Sequence, residues 1–254
     1  MQILNIAAYC FVALDDPGRL RHAIKARCDA LGLKGTILLA PEGINLFLAG
    51  ATDAIASFLA WLGSDALFCA VDGSQPFADL PIKESYSDTQ PFRRMRVRQK
   101  REIVTMHHPT IRPHEGRAPG VSPETLSRWL SQGSDDAGRE LVLLDTRNSF
   151  EVALGSFDGA RDLGIARFAD FPDAVERVAD DLRDKTVVTY CTGGIRCEKA
   201  ALWMQESGIE RVFQLEGGIL NYFDKAGAAH WSGECFVFDE RVALDAELRG
   251  STPA

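Results

Sequence analysis

One cysteine stands where a reactive thiol would be expected. Cys191 directly follows the short strand-like run Thr186–Tyr190, and a loop with two glycines separates it from a helix that starts near Cys197. Backbone N–H groups in such a loop, at a helix start, curl around an anion. These surroundings lower a cysteine pKa from about 8.5 to roughly 3.5–7.5. The pattern predicts a thiolate at Cys191 in an anion cradle formed by Thr192, Gly193, Gly194, Ile195 and Arg196.

The spacing around this thiol favours an anionic sulfur adduct and argues against phosphatase activity. A cradle that stabilises a thiolate also stabilises a persulfide or another anionic adduct on sulfur. Phosphatase activity is not expected, because cysteine phosphatases place one more residue between Cys and Arg, and that place here is Cys197. Cys197 either resolves an oxidised Cys191 as a disulfide or packs the start of the helix.

A run of cations is the second cluster with a chemical meaning. On a strand, Arg94, Arg96, Arg98 and Lys100 share one face, and a row of this kind suits the phosphates of a folded RNA. A charged edge strand that blocks aggregation is the alternative. We predict RNA contact by the six cations of this run, which are Arg93, Arg94, Arg96, Arg98, Lys100 and Arg101.

Bulk composition limits the classes of protein. The 254 residues carry a net charge of −8, with about +1 over residues 1–110 and −9 over the remainder. Six scattered cysteines without a Cys-x-x-Cys pair indicate reduced thiols and no metal site. The sequence has no flavin motif and no two-His-one-carboxylate set, so no bound cofactor is expected. With no signal peptide and no long apolar run, we expect a cytoplasmic protein without a membrane span.

The elements that position these residues divide the chain in two. Before residue 110, strand and helix patterns follow the order β-α-β-β-α-β, which is typical of a ferredoxin-like α+β domain. The predicted elements are strand 2–14, helix Pro17–Leu31, strands Thr36–Ala40 and Ile44–Ala49, helix Thr52–Leu62 and strand Met95–Met106.

After residue 122, short apolar strands alternate with helices, which predicts a doubly wound α/β domain with a parallel sheet. The predicted elements are helix Pro123–Leu130 capped by Ser122, strand Leu141–Leu144, helix Phe171–Leu182, strand Thr186–Tyr190, helix Glu198–Ser207 and strand Val212–Leu215. The fold class is therefore α/β overall. The predicted boundaries are 1–110 for the ferredoxin-like (acylphosphatase-like) domain, 111–121 for a linker, 122–235 for the α/β domain and 236–254 for a C-terminal extension.

The second half resembles the rhodanese domain. Cys191 and Arg196 have the Cys-x-x-x-x-Arg spacing of its active loop, and further matches are Leu143–Arg147 with Glu151 and Gly155, the pair Gly159-Ala160, and Leu215–Gly218. The chain departs from the common Gly-His-Ile by having Gly155-Ser156-Phe157. The resemblance implies that residues 122–235 are a rhodanese domain in which Asp145, Arg147 and Cys197 support Cys191.

Longer blocks resemble the bacterial rhodanese-domain family of tRNA uridine hydroxylases. These blocks are Glu42–Asn45, Pro91–Arg98, Tyr190–Ala200 and Gly233–Arg241, in this order. The resemblance implies an enzyme that hydroxylates the tRNA wobble uridine at carbon 5 with molecular oxygen, with tRNA as partner and Cys191 as essential thiol. A sulfurtransferase carrying a persulfide on Cys191 and a catalytically silent RNA-binding adaptor are the alternatives. Many family members continue into a cysteine-rich segment beyond the position of Ala254.

Overall fold

The computed structural model describes residues 2–69 and 74–250. The chain divides into two compact units. The first comprises Met1–Ile103 and Phe238–Arg241, and the second comprises Val104–Val237 and Val242–Ala254. Residues of the segment 111–121, for which the sequence predicts a linker, include Ile111 and Ala118 in the core of the second unit. The expected order, an N-terminal α+β part followed by an α/β part, is confirmed.

The described residues of the first unit form a five-stranded sheet with two α-helices. Its elements are β1 (Ile3–Phe11), α1 (Pro17–Ala30), β2 (Lys34–Ala40), β3 (Gly43–Gly50), α2 (Thr52–Ser64), β4 (Lys83–Ser87) and β5 (Met95–Gln99). Asp16 caps α1 by accepting a hydrogen bond from the Arg19 backbone N–H at 2.9 Å, and Pro17 occupies the first turn, where no N–H is needed. Leu20, Ile24 and Cys28 then form the buried face of α1 against the sheet.

The strand order β4-β1-β3-β2-β5 corrects two expectations from sequence. The strand that completes the β-α-β-β-α-β unit is Lys83–Ser87, which pairs antiparallel with β1 and was not predicted. Its sequence is polar and lacks the apolar alternation that marks a strand, because β4 lies at an edge of the sheet. The strand predicted at Met95–Met106 ends at Gln99 and is an added edge strand, parallel to β2.

The second unit is built around a parallel sheet in the order β6-β11-β10-β7-β9. Its strands and helices are β6 (Gly120–Val121), α3 (Pro123–Gln132), β7 (Leu141–Asp145), α4 (Ser149–Val152), β8 (Gly155–Phe157), β9 (Arg161–Asp162), α5 (Phe171–Glu176), β10 (Thr186–Tyr190), α6 (Ile195–Glu206), β11 (Val212–Leu215), α7 (Gly218–Ala226), β12 (Trp231–Gly233), β13 (Cys235–Phe236) and β14 (Ala243–Leu244). β12 pairs with β8 and β13 pairs with β14, both antiparallel.

Most predicted elements of this unit are confirmed, including the cap of α3 by Ser122, whose hydroxyl accepts from the Thr125 N–H at 3.2 Å. The helix predicted at Phe171–Leu182 is wrong in length, since α5 ends at Glu176 and a short 3-10 turn follows at Ala179–Asp181. A longer helix would place Asp180 and Asp181 at its carboxyl end, where the helix dipole disfavours negative charge. Every residue of β10 is buried, as expected for a central parallel strand.

A buried aromatic cluster joins β8 to the central strand. Phe157, which is 1% exposed, meets the rings of Tyr190, Tyr222 and Trp231 edge to face, with centroids 4.9, 4.7 and 5.0 Å away. Edge-to-face pairs add to the gain from burial itself. The cluster therefore fixes the end of β10, immediately before Cys191, against β8 and α7.

We expect Phe157→Ala to lower the free energy of unfolding by about 3–5 kcal/mol, because it leaves a cavity between three rings. Urea unfolding followed by tryptophan fluorescence measures the loss. Phe157→Leu, which retains most of the volume, should cost clearly less. Equal costs for the two variants would contradict the packing role of the ring.

Candidate active site

Cys191 lies directly beyond the carboxyl end of β10, the edge at which open α/β sheets place their sites. The side chain is completely buried, and the backbone N–H of Gly194 donates a hydrogen bond of 3.1 Å to its Sγ atom. Gly194 has a φ of +96° and caps α6. A residue with a Cβ adopts this conformation only at a cost. Gly194 therefore lets the chain turn from strand to helix around the sulfur.

The surroundings of Cys191 favour the thiolate. Burial raises the pKa of this thiol. A hydrogen bond from Cys197, the charge of Arg196, and the backbone N–H groups of Arg196 and Gly194 outweigh burial and lower the pKa to about 5. At neutral pH the sulfur is therefore an anion, which is the nucleophilic form of cysteine.

Arg196 is held in place by Glu151. The guanidinium donates two hydrogen bonds to this carboxylate, Nη1 to Oε2 at 2.5 Å and Nη2 to Oε1 at 2.7 Å, and both side chains are buried. Glu151 also accepts from the Asn148 N–H at 3.0 Å, which closes the first turn of α4. In the sequence, Glu151 belongs to the rhodanese-like segment but is not predicted as a site residue. An arginine predicted beside a buried cysteine needs an acidic partner, and this requirement points to a carboxylate such as Glu151.

Two further buried cysteines surround Cys191, and both favour the neutral thiol. Burial, then the hydrogen bond and charge of Cys191, hold the pKa of Cys197 well above its usual range. Cys197 therefore acts as a donor to the thiolate, and Thr146 Oγ1 lies 3.8 Å from its Sγ atom. Burial raises the pKa of Cys235 to about 12, although nearby Arg147 lowers it. The sequence does not predict Cys235 as part of this site, because it is far from the loop along the chain.

The start of α7 fixes the other side of the loop. The N–H groups of Ile219 and Leu220 donate to the carbonyl oxygens of Cys191 and Thr192 at 3.0 and 3.1 Å. This approach requires glycine at position 218, where an added Cβ would lie 2.4 Å from the Cys191 carbonyl oxygen. The rhodanese-like turn at Leu215–Gly218 thus brings a helix start onto the cysteine loop.

The remaining cradle residues differ in exposure. Thr192 is buried and its hydroxyl donates to the Phe236 carbonyl oxygen at 3.4 Å. Gly193 and Ile195 are half-buried, and a Cβ added at Gly193 would meet nothing within 4 Å. The loop is therefore tightly packed at Thr192 and Gly194 and has free space at Gly193.

Asp145 and Arg147 form a buried ion pair at the end of β7. Arg147 donates from Nε to Asp145 Oδ1 at 2.9 Å and from Nη2 to Oδ2 at 2.6 Å. The same guanidinium reaches the carbonyl oxygen of Gly155 at 2.8 Å. The pair thus joins β7 to β8 on either side of α4, the helix that carries Glu151. Asp145 and Arg147 therefore hold the ends of these strands in position, and within the described residues their side chains form no hydrogen bond with Cys191.

The six cations predicted to contact RNA lie on and around β5 of the first unit. Met95 is buried and Val97 half-buried, whereas all six cations are exposed. Arg93 pairs with Glu240 at 2.6 Å. Within the described part of the chain, no ion pair is formed by the other five, which are Arg94, Arg96, Arg98, Lys100 and Arg101. The strand therefore presents a row of positive charge to solvent.

Within residues 2–69 and 74–250, no group of three or more His, Cys, Asp or Glu side chains is arranged to hold a metal ion. Nor does any helix in these ranges combine the length and the apolar character that crossing a membrane requires.

Two family models match the chain. Residues 3–103 match the UPF0176 acylphosphatase-like domain, and residues 122–225 match the rhodanese-like domain. A solution structure of the rhodanese-like domain from an Anabaena protein is 22% identical, with a TM-score of 0.37, and covers 46% of this chain and 80% of that domain.

Two relatives match over nearly the whole of this chain. The chain is 60% identical over 253 residues to the tRNA uridine(34) hydroxylase of Cupriavidus taiwanensis, covering 100% of this chain and 86% of the relative. It is also 60% identical over 247 residues to the protein of the same name from Variovorax paradoxus, covering 97% of this chain and 90% of that relative.

We expect the thiolate absorbance of Cys191 near 240 nm to titrate at about pH 5. The group loses its proton as the pH rises, so absorbance should increase through this value and stay constant to neutral pH. Cys191→Ser supplies the baseline, and Cys197→Ala should move the step to higher pH because it removes a donor to the thiolate. A step near pH 8.5, the ordinary cysteine range, would contradict this assignment.

Proposed function

This chain belongs to the tRNA uridine(34) hydroxylase family, and we propose that it hydroxylates carbon 5 of uridine 34 with molecular oxygen as co-substrate. It is an enzyme that modifies tRNA, as the names of its relatives imply. We place the reaction in the cytoplasm, together with the tRNA. The observation that carries the proposal is the thiolate of Cys191, because a uracil ring is activated at carbon 5 when a nucleophile adds to carbon 6.

Cys191 is the nucleophile in this proposal. Its thiolate forms a bond to C6 of the uracil, and the electron pair of the C5–C6 double bond moves to C5, where the neighbouring C4 carbonyl delocalises it. C5 is then electron-rich and forms a bond to one atom of molecular oxygen. The O–O bond breaks as a two-electron donor of the cell, with two protons, reduces the other oxygen atom to water, and C5 keeps a hydroxyl group. Loss of the C5 proton afterwards restores the double bond and expels the thiolate.

The cradle serves both the attack and the release. The N–H of Gly194, the thiol of Cys197 and the charge of Arg196 stabilise the thiolate before the attack. The same groups stabilise sulfur again when it leaves, which keeps the covalent adduct reversible. Molecular oxygen supplies the oxidising equivalents, and the role of the loop residues is to hold and release the sulfur.

We propose that the six exposed cations on and around β5 contact the tRNA. On β5, the exposed Arg96 and Arg98 alternate with buried Met95 and half-buried Val97, so these two charges share one face of the strand. Phosphate contacts of this kind position a folded RNA without reading its sequence. They also compensate locally for the net charge of −8, which would otherwise repel tRNA.

We expect Cys191→Ser to abolish formation of 5-hydroxyuridine derivatives, because a hydroxyl is not ionised near neutral pH. Mass spectrometry of tRNA nucleosides from a deletion strain carrying each variant measures the product. Cys69→Ser, at an exposed cysteine of the first unit, is the matched control and should restore the modification. Full modification with Cys191→Ser would refute the nucleophile assignment, and loss of thiolated uridine instead would indicate sulfur transfer.

We expect the triple change of Arg94, Arg96 and Arg98 to Ala to weaken tRNA binding and to flatten its salt dependence by about one unit of slope per lost contact. Filter binding at several salt concentrations measures both. Changing the exposed Arg167, Arg177 and Arg183 to Ala removes the same charge elsewhere and should leave the slope unchanged. Equal slopes for both triple variants would rule out β5 as the contact.

A further inference from the structure

An exposed aromatic side chain lies next to the residue that holds the active-site arginine. Phe150 is 51% exposed, although the next residue of the short helix α4, Glu151, is buried. Its ring meets the ring of Phe236 at 89°, with centroids 5.1 Å apart. Phe150 is thus half exposed and has one perpendicular aromatic neighbour among the described residues. Phe150 lies outside the three core clusters of the described residues, so packing in the core does not explain it.

Both rings are connected to the cysteine loop by short paths. Phe150 is the neighbour in sequence of Glu151, whose carboxylate holds Arg196 beside the thiolate. Phe236 accepts, at its carbonyl oxygen, the hydrogen bond of Thr192, the first residue after Cys191. Single exposed apolar side chains are common and need no function. This pair differs because Phe150 is connected through Glu151 to Arg196 at one end of the cysteine loop, and Phe236 is connected to Thr192 at the other end.

The support beneath Phe150 is rigid. The turn of α4 is closed by the hydrogen bond from the Asn148 N–H to Glu151, and Arg147 is locked by Asp145 and Gly155. An aromatic ring on such a support loses little conformational entropy when a flat ligand covers it. This is the property needed in a platform for a base.

We propose that Phe150, supported by Phe236, is the stacking platform for the base of uridine 34 once that base has turned out of the anticodon loop towards Cys191. This inference rests on the proposed function for its ligand. A base inside a stack cannot offer C6 to a buried sulfur, so it must unstack, and an aromatic face replaces the lost stacking. Stacking accepts any base, so discrimination of uracil belongs to other groups.

The test uses the full-length protein and two anticodon stem-loop RNAs, one with uridine at position 34 and one abasic at that position. Base-on-aromatic stacking of about 1–3 kcal/mol corresponds to roughly a 5- to 150-fold difference in Kd between these RNAs for the unaltered protein. Phe150→Ala should reduce the ratio to about one and leave the affinity for the abasic RNA unchanged. Phe150→Tyr should keep the ratio, and Phe150→Leu should lose most of it.

Tyr86→Ala is the matched control. Tyr86 is 46% exposed and lies on β4, the edge of the first sheet opposite to β5. Its replacement should leave the ratio of affinities unchanged. Thermal unfolding of each variant confirms that a change in the ratio is not a loss of fold.

The outcomes separate this inference from the proposed function. A ratio that survives in Phe150→Ala overturns the platform, including the case in which Phe150 serves a protein partner instead. An unaltered protein that hydroxylates tRNA but binds both RNAs equally also overturns it, while the proposed function stands. A ratio that depends on Phe150 in a protein that produces no hydroxylated uridine supports the platform and refutes the hydroxylation.

Discussion

The ion pair between Arg196 and Glu151 is the interaction on which the site depends. It joins the first turn of α6 to α4, and it holds a positive charge beside a buried sulfur that burial alone would keep protonated. A buried ion pair contributes little net stability compared with apolar packing, yet removal of one partner leaves an unpaired buried charge. The pair is therefore best understood as a functional feature. Glu151 neutralises Arg196 enough to bury it, and the hydrogen bonds still fix its direction.

Three parts of the second unit converge on the same six-residue loop. Cys191 follows the end of β10, the first N–H groups of α7 donate to the loop carbonyl oxygens, and Thr146 after β7 and Glu151 on α4 contact residues of the loop or of the helix behind it. Each part is fixed by buried contacts of its own, such as the aromatic cluster around Phe157 and the pairing of Arg147 with Asp145. These contacts reinforce one another, because the Arg147 guanidinium lies 5.6 Å from the ring of Tyr190 and 5.3 Å from the ring of Trp231, and together they fix the position of the sulfur. Preorganisation of this kind is what a stabilised anion requires.

The sequence predicted those features that depend on local spacing. The cysteine, the glycines and the arginine of the loop occur within six residues, and the alternation around Met95 and Val97 places the cations on one face. Features that depend on tertiary contact were missed. Cys235 joins the site through the pairing of β13 with β14, and Phe150 gave no periodic pattern because α4 is only 4 residues long. Spacing predicts Cys197, but its neutral state follows from its burial and then from the hydrogen bond and charge of Cys191, which only the fold shows. The strand Lys83–Ser87 was missed since an edge strand can be polar.

Complete burial of Cys191 has a consequence for chemical selectivity. A free thiolate at neutral pH reacts with peroxides, alkylating agents and metal ions that any cell contains. Here no sulfur surface is accessible at rest, so such small reagents meet packed side chains and backbone. Only a molecule that gains enough binding energy elsewhere to displace that cover reaches the anion. Every turnover must therefore include a step in which the substrate displaces this cover. The burial that would make an ordinary thiol unreactive makes this thiol selective for its substrate.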